Sequence, residues 1–206
     1  MSKKKPIIVF EGIECSGKSS HIQSVTNYLR KNNERFIQIR EPGGNKNSEM
    51  IRKLILDNKS SFNKYTDLLL YLSARSENIE LIKKNMGQKI IIIDRFVDST
   101  LAYQHYGMGV NLNFINFINN FLLKDIKVTF TFLNLVSEKN MKLRLAKRKN
   151  LNRYDKFNGA FYKKVQDGFL KILKKNSKNY MKINSNLNMN DNKKKILNKI
   201  DSLILK

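Results

Sequence analysis

Near its beginning the chain carries the stretch Ile7-Ile8-Val9-Phe10-Glu11-Gly12-Ile13-Glu14-Cys15-Ser16-Gly17-Lys18-Ser19-Ser20. An apolar run, a Gly-x-x-x-x-Gly-Lys-Ser motif and a helix-like segment follow one another, which is the context in which this motif forms a phosphate-binding loop. Glycine permits backbone conformations closed to other residues, so successive N–H groups can point at one anion, and the following helix adds its positive dipole end. The stretch predicts a nucleotide site, with a glycine turn beside a solvated lysine as the alternative.

The residue types of the motif also predict individual roles. Lys18 would reach the β and γ phosphates, and Ser19 would offer its hydroxyl to Mg²⁺. The residues of this stretch that we expect to bind the nucleotide are Gly12, Ile13, Glu14, Cys15, Ser16, Gly17, Lys18, Ser19 and Ser20. A nucleoside triphosphate and Mg²⁺ are therefore the expected cofactors.

Length and composition limit the class of protein. With 206 residues and 41% apolar content, the chain suits one well-buried domain over residues 1–206. No uncharged apolar run approaches the about eighteen residues of a membrane span, so we expect a cytoplasmic protein without a membrane partner. Cys15 is the only cysteine of the sequence, which leaves no internal disulfide or cysteine metal cluster to expect.

A formal charge of +23 raises the question of a nucleic-acid partner, because a basic patch is the usual footprint of one. Only nine of the forty cationic side chains are arginine, and the lysines are scattered along the chain among Asn and Ile. A solvated lysine surface is therefore favoured, and nucleic acid is not an expected partner. A field of this sign would still attract anionic nucleotides.

Short apolar runs alternate with helical segments, the pattern of an α/β fold in which a five-stranded parallel sheet is flanked by helices. The predicted strands are Ile7 to Phe10, Arg35 to Ile39, Lys89 to Asp94, Lys127 to Asn134 and Tyr180 to Ile183. The predicted helices are Lys18 to Asn32, Asn47 to Asp57, Thr66 to Met86, Asn111 to Leu123, Phe157 to Lys175 and Asn192 to Leu205. Asn140 to Asp155, dense in Lys and Arg, is expected to be a mobile basic excursion.

Ligands of such sheets bind at the carboxyl ends of the strands, and polar residues follow three of the predicted strands there. The first strand leads into the phosphate loop, and the second leads into Arg40-Glu41-Pro42-Gly43-Gly44. Asp94 ends the third strand, where an acidic residue can reach the magnesium side of a phosphate site. Arg95 follows it and would suit a second phosphate-bearing substrate, because guanidinium grips phosphate in a bidentate fork. A salt bridge at the strand end is the alternative.

Taken together, these motifs resemble the thymidylate kinases, the dTMP kinases of bacterial type, from Ile7 to about Ser185. The resemblance is carried by the phosphate loop, Arg40-Glu41-Pro42-Gly43-Gly44, Leu69-Leu70-Tyr71-Leu72-Ser73-Ala74-Arg75, Asp94-Arg95 and Ser99-Thr100-Leu101-Ala102-Tyr103-Gln104. It implies a P-loop nucleoside monophosphate kinase fold and a homodimer. The implied reaction is the ATP-dependent phosphorylation of dTMP to dTDP in dTTP synthesis.

The resemblance also implies a set of acceptor-binding residues. They are Glu14, Arg40, Pro42, Arg52, Tyr71, Arg75, Arg95, Ser99, Thr100, Tyr103 and Gln104. Tyr71, where the family usually has Phe, would stack on the thymine ring, and Arg75 would contact its exocyclic oxygen. Thr100 and Gln104 would address the base edge, although without the resemblance a core aromatic at position 71 and a helix-start cap at 100 and 104 are the ordinary interpretations.

Further implied roles concern the sugar and the phosphate of the acceptor. Glu14 would hold the 3′-hydroxyl, and Tyr103 would crowd the position of a ribose 2′-hydroxyl. Arg95 would bind the acceptor phosphate with help from Arg52. Pro42 would shape the pocket beside the base, with Arg40 a nearby phosphate or carboxylate partner.

In one type within this family an arginine follows the acidic residue of the phosphate loop, and in the other the lid supplies it. Cys15 holds that loop position here, so the resemblance implies that lid arginines from about 140 to 155 stabilise the transferred phosphoryl group. Arg148 and Arg153 are expected to close over it, with Arg144 near the adenine or at the base of the lid. The predicted catalytic residues are thus Lys18, Asp94, Arg95, Arg148 and Arg153. Departures from the family pattern are Asn184-Ser185 near the adenine and Asn152 in the lid.

Two other functions remain open at the level of sequence. A deoxynucleoside kinase would need a carboxylate to deprotonate a neutral hydroxyl, and Glu11 or Glu41 could serve. A nucleic-acid-binding P-loop ATPase would use the lysine surface instead.

Overall fold

The computed structural model describes residues 4–205. The strands are β1 (Ile7–Glu11), β2 (Phe36–Arg40), β3 (Ile90–Asp94), β4 (Phe130–Leu135) and β5 (Tyr180–Asn184). The longer helices are α1 (Lys18–Lys31), α2 (Lys46–Leu56), α3 (Lys64–Asn85), α5 (Leu112–Leu122), α6 (Glu138–Ala146), α7 (Gly159–Lys175) and α8 (Met189–Ile204). A short α4 (Val97–Thr100) continues into a π-helix (Leu101–Gly107), and 3₁₀ turns occupy Arg153–Lys156 and Ser177–Asn179.

The five strands form one parallel sheet in the order β2-β3-β1-β4-β5, which confirms the predicted architecture. β1 lies at the centre, and successive side chains alternate between the two faces because a strand has a period of two. Ile8 and Phe10 pack with α1 and α8 on one face, while Ile7 and Val9 pack with the α3 side on the other. The order reverses direction at β1, so the binding crevice of the sheet opens just beyond its carboxyl end, where Gly12 follows.

The sequence analysis predicted no helix in the basic excursion, but residues 138–146 form α6. The Ser137 hydroxyl accepts a hydrogen bond from Asn140 N and so caps this helix, and Met141 is buried on its inner face. The sequence analysis also did not predict the helical segment from Val97 to Gly107, whose polar face is directed to the site described below. α8 begins three residues before the prediction, where Asn188 caps it.

Within residues 4–205, none of the helices has the length and apolar character needed to cross a membrane.

Candidate active site

The phosphate loop follows β1 in a conformation that only glycine suits. Gly12 has φ +139°, and a Cβ placed there would lie 2.3 Å from the carbonyl oxygen of Asn134 on β4. Gly17 has φ +85° and directly precedes α1. The loop therefore packs closely against the sheet and leads directly into the N-terminus of a fourteen-residue helix. A helix N-terminus after such a loop is a typical anion-binding site.

The side chain of Lys18 is folded into this loop. Its Nζ donates to the carbonyl oxygens of Gly12 and Ile13, both at 2.9 Å. Burial, together with the nearby guanidinium of Arg95, lowers the pKa of Lys18 from 10.5 to about 8. The ammonium group lacks an anionic hydrogen-bond partner within the described chain, so a bound phosphate would raise its pKa again.

A cleft of about 610 Å³ extends from the loop across the carboxyl ends of the strands. Ser19 and Asp94 both line it, and the Oδ1 atom of Asp94 is buried without a hydrogen-bond partner among the described residues. A buried carboxylate oxygen that faces a phosphate cleft beside a serine hydroxyl suits a hard cation. No group of three His, Cys, Asp or Glu side chains in residues 4–205 could hold a metal alone, so a cation here would need phosphate oxygens as further ligands.

Three predicted residues converge beside the loop. Arg95 has φ +65°, and its guanidinium donates to the Gly12 carbonyl oxygen at 2.8 Å and to Glu14 Oε1 at 2.9 Å. The Tyr103 hydroxyl donates to the other oxygen of Glu14, and the Arg95 guanidinium lies 5.2 Å from the centre of the Tyr103 ring. The arginine is thereby fixed in the wall of the cleft with its charge facing the phosphate loop.

A buried carboxylate that the sequence analysis considered only as an alternative base supports this arginine. Glu11 accepts hydrogen bonds from Phe96 N at 2.8 Å and from the Ser99 hydroxyl at 2.5 Å. Burial and the charge of Asp98 raise the pKa of Glu11 to about 7. Both of its oxygens face the segment that follows Arg95, so Glu11 holds that segment in place.

A smaller pocket opens from the cleft, and Tyr71, Arg75, Thr100, Tyr103 and Gln104 all line it. Arg75 is only 2% exposed, and its guanidinium donates to Glu41, to Asn119, to the Phe96 carbonyl oxygen and to the Thr100 hydroxyl. These bonds leave one N–H group of the five unassigned. The pocket is thus an apolar slot between aromatic rings with a few fixed polar groups.

The end of β2, the turn after it and α2 also contribute to the cleft. Arg40, Pro42 and Arg52 line it. Arg40 forms an exposed ion pair with Glu49 at 2.7 Å, and Arg52 donates to the Pro42 carbonyl oxygen at 2.7 Å. Both guanidinium groups retain further N–H donors for an anion.

Two arginines of the basic segment also reach the cleft. Arg144 donates to the carbonyl oxygens of Cys15 at 3.0 Å and Ser185 at 2.5 Å, so it joins the phosphate loop to the turn after β5. Arg148 lines the cleft, is 45% exposed and pairs with Asp155 at 2.5 Å. Arg148 is therefore positioned to exchange its carboxylate partner for a phosphate.

The structure places Arg153 elsewhere, contrary to the expectation that it closes over the phosphoryl group. Its guanidinium is ion-paired with Asp67 and donates to the Ile55 carbonyl oxygen at 3.0 Å. The rings of Phe62 and Tyr154 flank it. Since the side chain is 15% exposed and absent from the cleft lining, it anchors the basic segment against α3.

The chain brings most of the predicted residues to one cleft. The sequence analysis missed one residue that lines it and two buried aspartates that pair with Arg153 and Arg148. The missed residues are Asp67, Tyr154 and Asp155. Tyr154 lines both the cleft and the smaller pocket, and its ring meets Tyr71 and Tyr103 edge-on. An aromatic residue within a basic segment was the one available signal for Tyr154, whereas a helix-start aspartate such as Asp67 is too common to single out.

Comparisons with known proteins agree with this geometry. Residues 10–196 match the family model described as thymidylate kinase. A thymidylate kinase from Clostridium novyi (strain NT) is 35% identical over 189 residues, which cover 89% of this chain and 92% of that protein. One from Thermosipho africanus (strain TCF52B) is 36% identical over 169 residues, covering 81% and 84%.

A solved structure supports the same fold. The crystal structure of thymidylate kinase from Ehrlichia chaffeensis superposes with a TM-score of 0.77 at 29% identity, covering 96% of this chain and 98% of that one. The expected P-loop nucleoside monophosphate kinase fold is thereby confirmed. With its family match across most of the sequence, this chain belongs to the thymidylate kinase family.

Proposed function

We propose that this chain moves the γ-phosphoryl group of ATP to the phosphate of dTMP, with the groups of the cleft in assigned roles. The reaction is the ATP-dependent phosphorylation of dTMP to dTDP in dTTP synthesis. The acceptor oxygen is already anionic at neutral pH, so positioning and charge neutralisation carry the catalysis and no general base is needed. In agreement, Glu11 lines neither the cleft nor the smaller pocket, and Glu41 is ion-paired with Arg75.

On the donor side, residues Gly12 to Ser20 enclose the phosphates of ATP and Lys18 bridges the β and γ phosphates. Ser19 and the free oxygen of Asp94 would hold Mg²⁺ together with phosphate oxygens. When bound, the cation would neutralise charge that develops on the transferred group. Arg144 would lie beside the adenosine, since it links the loop to the turn after β5.

On the acceptor side, Arg95 would bind the dTMP phosphate from its position against the loop, and Glu14 would hold the 3′-hydroxyl of the sugar. Tyr103 would exclude a 2′-hydroxyl, and the slot beside Tyr71 would take the base. Arg40 and Arg52 would complete the positive rim, with Pro42 and Ser99 in the wall.

We propose that Arg148 is the lid arginine that stabilises the charge of the transferred phosphoryl group. Within a single domain, residues 140–155 would form the lid, and Arg148 would leave Asp155 for the transferred phosphoryl group as the cleft closes. An arginine supplied in this way is worth roughly a thousandfold or more in rate in related phosphoryl transfers. Arg153 would contribute by anchoring the end of the lid.

The observation that carries the proposal is the Glu14–Arg95–Tyr103 cluster, which joins the phosphate loop to the smaller pocket beside it. A coupled ADP-release assay with dTMP, dUMP, dCMP, dGMP, UMP and thymidine tests it. We expect the highest kcat/KM with dTMP. Phosphorylation of thymidine without dTMP, or DNA-stimulated ATP hydrolysis without transfer, would overturn the proposal.

We also propose a homodimer, because aromatic side chains are exposed on one face of α3 and α5. Phe117 and Phe121 are 73% and 79% exposed, and Phe114 lies on the same face and meets Tyr65 of α3 edge-on. A second copy could cover this aromatic patch, at whose edge Lys64 lies over the Tyr65 ring, despite the net charge of the chain. Sedimentation of the purified protein should give twice the chain mass, and Phe117→Asp should give monomers; a monomeric wild type contradicts this proposal.

The remaining proposals concern location and partners. ATP and dTMP are metabolites of the cytoplasm, so we propose that the chain works there, without a membrane or nucleic-acid partner. Fractionation of cells that express the tagged chain checks this, and recovery with the membrane or the nucleoid would contradict it.

A further inference from the structure

We infer that Asp67 is a positioning residue for base recognition, which fixes the amide of Gln104 so that the pocket accepts thymine or uracil and rejects cytosine. The inference rests on the proposed function, because it concerns the base of the same acceptor. It rests on a buried hydrogen-bond network that the sequence analysis did not anticipate. The network joins Asp67 of α3 to Gln104 of the π-helix and to Arg153 and Tyr154.

Asp67 lies in the first turn of α3, and its carboxylate is almost completely buried. One oxygen pairs with the guanidinium of Arg153. The other accepts from the Tyr154 hydroxyl at 2.5 Å and from Gln104 Nε2 at 3.2 Å. Every partner of this carboxylate is therefore a donor.

The orientation of the Gln104 amide follows from this chemistry. A carboxylate can only accept, so the NH₂ group of Gln104 must face Asp67 and the amide oxygen must point the other way. Among the described hydrogen bonds, none uses that oxygen, and Gln104 lines the small pocket. The group that Gln104 offers to a ligand is thus an acceptor.

Thr100 supplies the complementary group one turn earlier. A guanidinium can only donate, so the Thr100 oxygen accepts from Arg75 at 2.9 Å and its hydroxyl hydrogen remains free. The guanidinium of Arg75 in turn is held by Glu41, Asn119 and the Phe96 carbonyl oxygen, so the Thr100 oxygen has a fixed donor. The pocket therefore presents an acceptor at Gln104 next to a donor at Thr100.

This pattern matches one class of pyrimidine. Thymine and uracil carry an N3–H donor beside the O4 acceptor, whereas cytosine carries an N3 acceptor beside the N4 amino donor. Cytosine in this pocket would set acceptor against acceptor and donor against donor. A site with fixed polar groups rejects a mismatched substrate strongly, because buried polar atoms are left unpaired.

The Asp67→Asn variant reverses the key contact. Arg153 would keep the amide oxygen of the new side chain, so its NH₂ group would face Gln104 and turn the Gln104 amide around. We expect the ratio of kcat/KM for dTMP to that for dCMP to fall by at least about a hundredfold. Asp67→Glu, which keeps a carboxylate, should retain most of the preference.

Two further variants keep the test decisive. Arg153→Met removes the ion pair but leaves the Asp67 carboxylate facing Gln104, so it should weaken activity without changing the ratio. Gln104→Leu should lower kcat/KM for dTMP and leave that for dCMP nearly unchanged. A dTMP to dCMP ratio within about threefold of wild type in folded Asp67→Asn, or equal losses for both substrates in Gln104→Leu, would overturn the inference.

Failure of the proposed function would look different. It would show as a wild type that does not phosphorylate dTMP, before any variant is compared. Calorimetric titration of wild type and variants with dTMP and dCMP, without ATP, measures the base preference independently of phosphoryl transfer. Equal affinity of the wild type for both monophosphates would also overturn the inference.

Discussion

The phosphate loop and the base pocket lie side by side but are built in opposite ways. The loop is one contiguous segment whose shape depends on backbone conformation, above all at Gly12. The smaller pocket beside it is lined by residues far apart in sequence, among them Tyr71 and Arg75 of α3, Tyr103 and Gln104 of the π-helix, and Tyr154. The phosphate loop therefore depends on which backbone conformations are allowed, whereas the smaller pocket depends on which polar atoms are already hydrogen-bonded.

The largest effect should come from Gly12→Ala. The added Cβ would lie 2.3 Å from a backbone oxygen of β4, so the loop must move and ATP-dependent activity should fall at least about a hundredfold. Gly109→Ala is the matched control, since Gly109 also has a positive φ of +71° but no atom within 4 Å of its Cβ. The control should cost about 1–2 kcal/mol of unfolding free energy and leave activity intact. Denaturant titration measures the stability of each variant, and the coupled assay measures its activity. Comparable activity in the two variants would contradict the claim that the loop depends on the backbone conformation at Gly12.

The next effect separates two arginines of the lid segment. Arg148→Ala should lower kcat about a hundredfold or more, because Arg148 lines the cleft. It should also lower the unfolding free energy, because buried Asp155 loses its cation, but by less than Arg153→Ala, because Arg148 itself is 45% exposed. Arg153→Ala should lower the unfolding free energy by about 3 kcal/mol, because it leaves Asp67 buried without its cation, and should lower kcat less. Thermal melts beside single-turnover rates distinguish the two. A larger loss of kcat in Arg153→Ala would return Arg153 to the catalytic set.

The smallest expected effect is the uptake of a proton by Lys18 when ATP binds. The pKa of Lys18 is about 8 in the loop described here, and a bound triphosphate should raise it. At pH 8.5, ATP binding should take up about three quarters of a proton, but only about a tenth at pH 7, where Lys18 is already protonated. Calorimetry in two buffers of different ionisation enthalpy measures the uptake. Equal uptake at both pH values would show that Lys18 does not titrate in this range.

The sheet and most of its helices could be predicted from the sequence because their signals are local. Apolar runs such as Ile90 to Ile93 and the alternation with helical segments specify a parallel sheet without knowledge of contacts. The segment from Val97 to Gly107 escaped prediction because its helix depends on tertiary contacts, including the bond that Phe96 N donates to Glu11. α6 escaped because the dense charge of the basic segment hid its single buried methionine, Met141.

The sequence by itself determined the phosphate loop, the strand-end residues and the family, because spacing along one chain is enough to define them. Only the tertiary structure decided that Arg148 lines the cleft while Arg153 pairs with Asp67 outside it, and that the Gln104 amide donates to Asp67. The physical reason is that the hydrogen-bond partner of a side chain can lie far from it in sequence. Only the fold determines which of several possible partners is close enough to bind. Arg153 and Asp67 are 86 residues apart, and their pairing depends on the burial of both groups at one point of the fold.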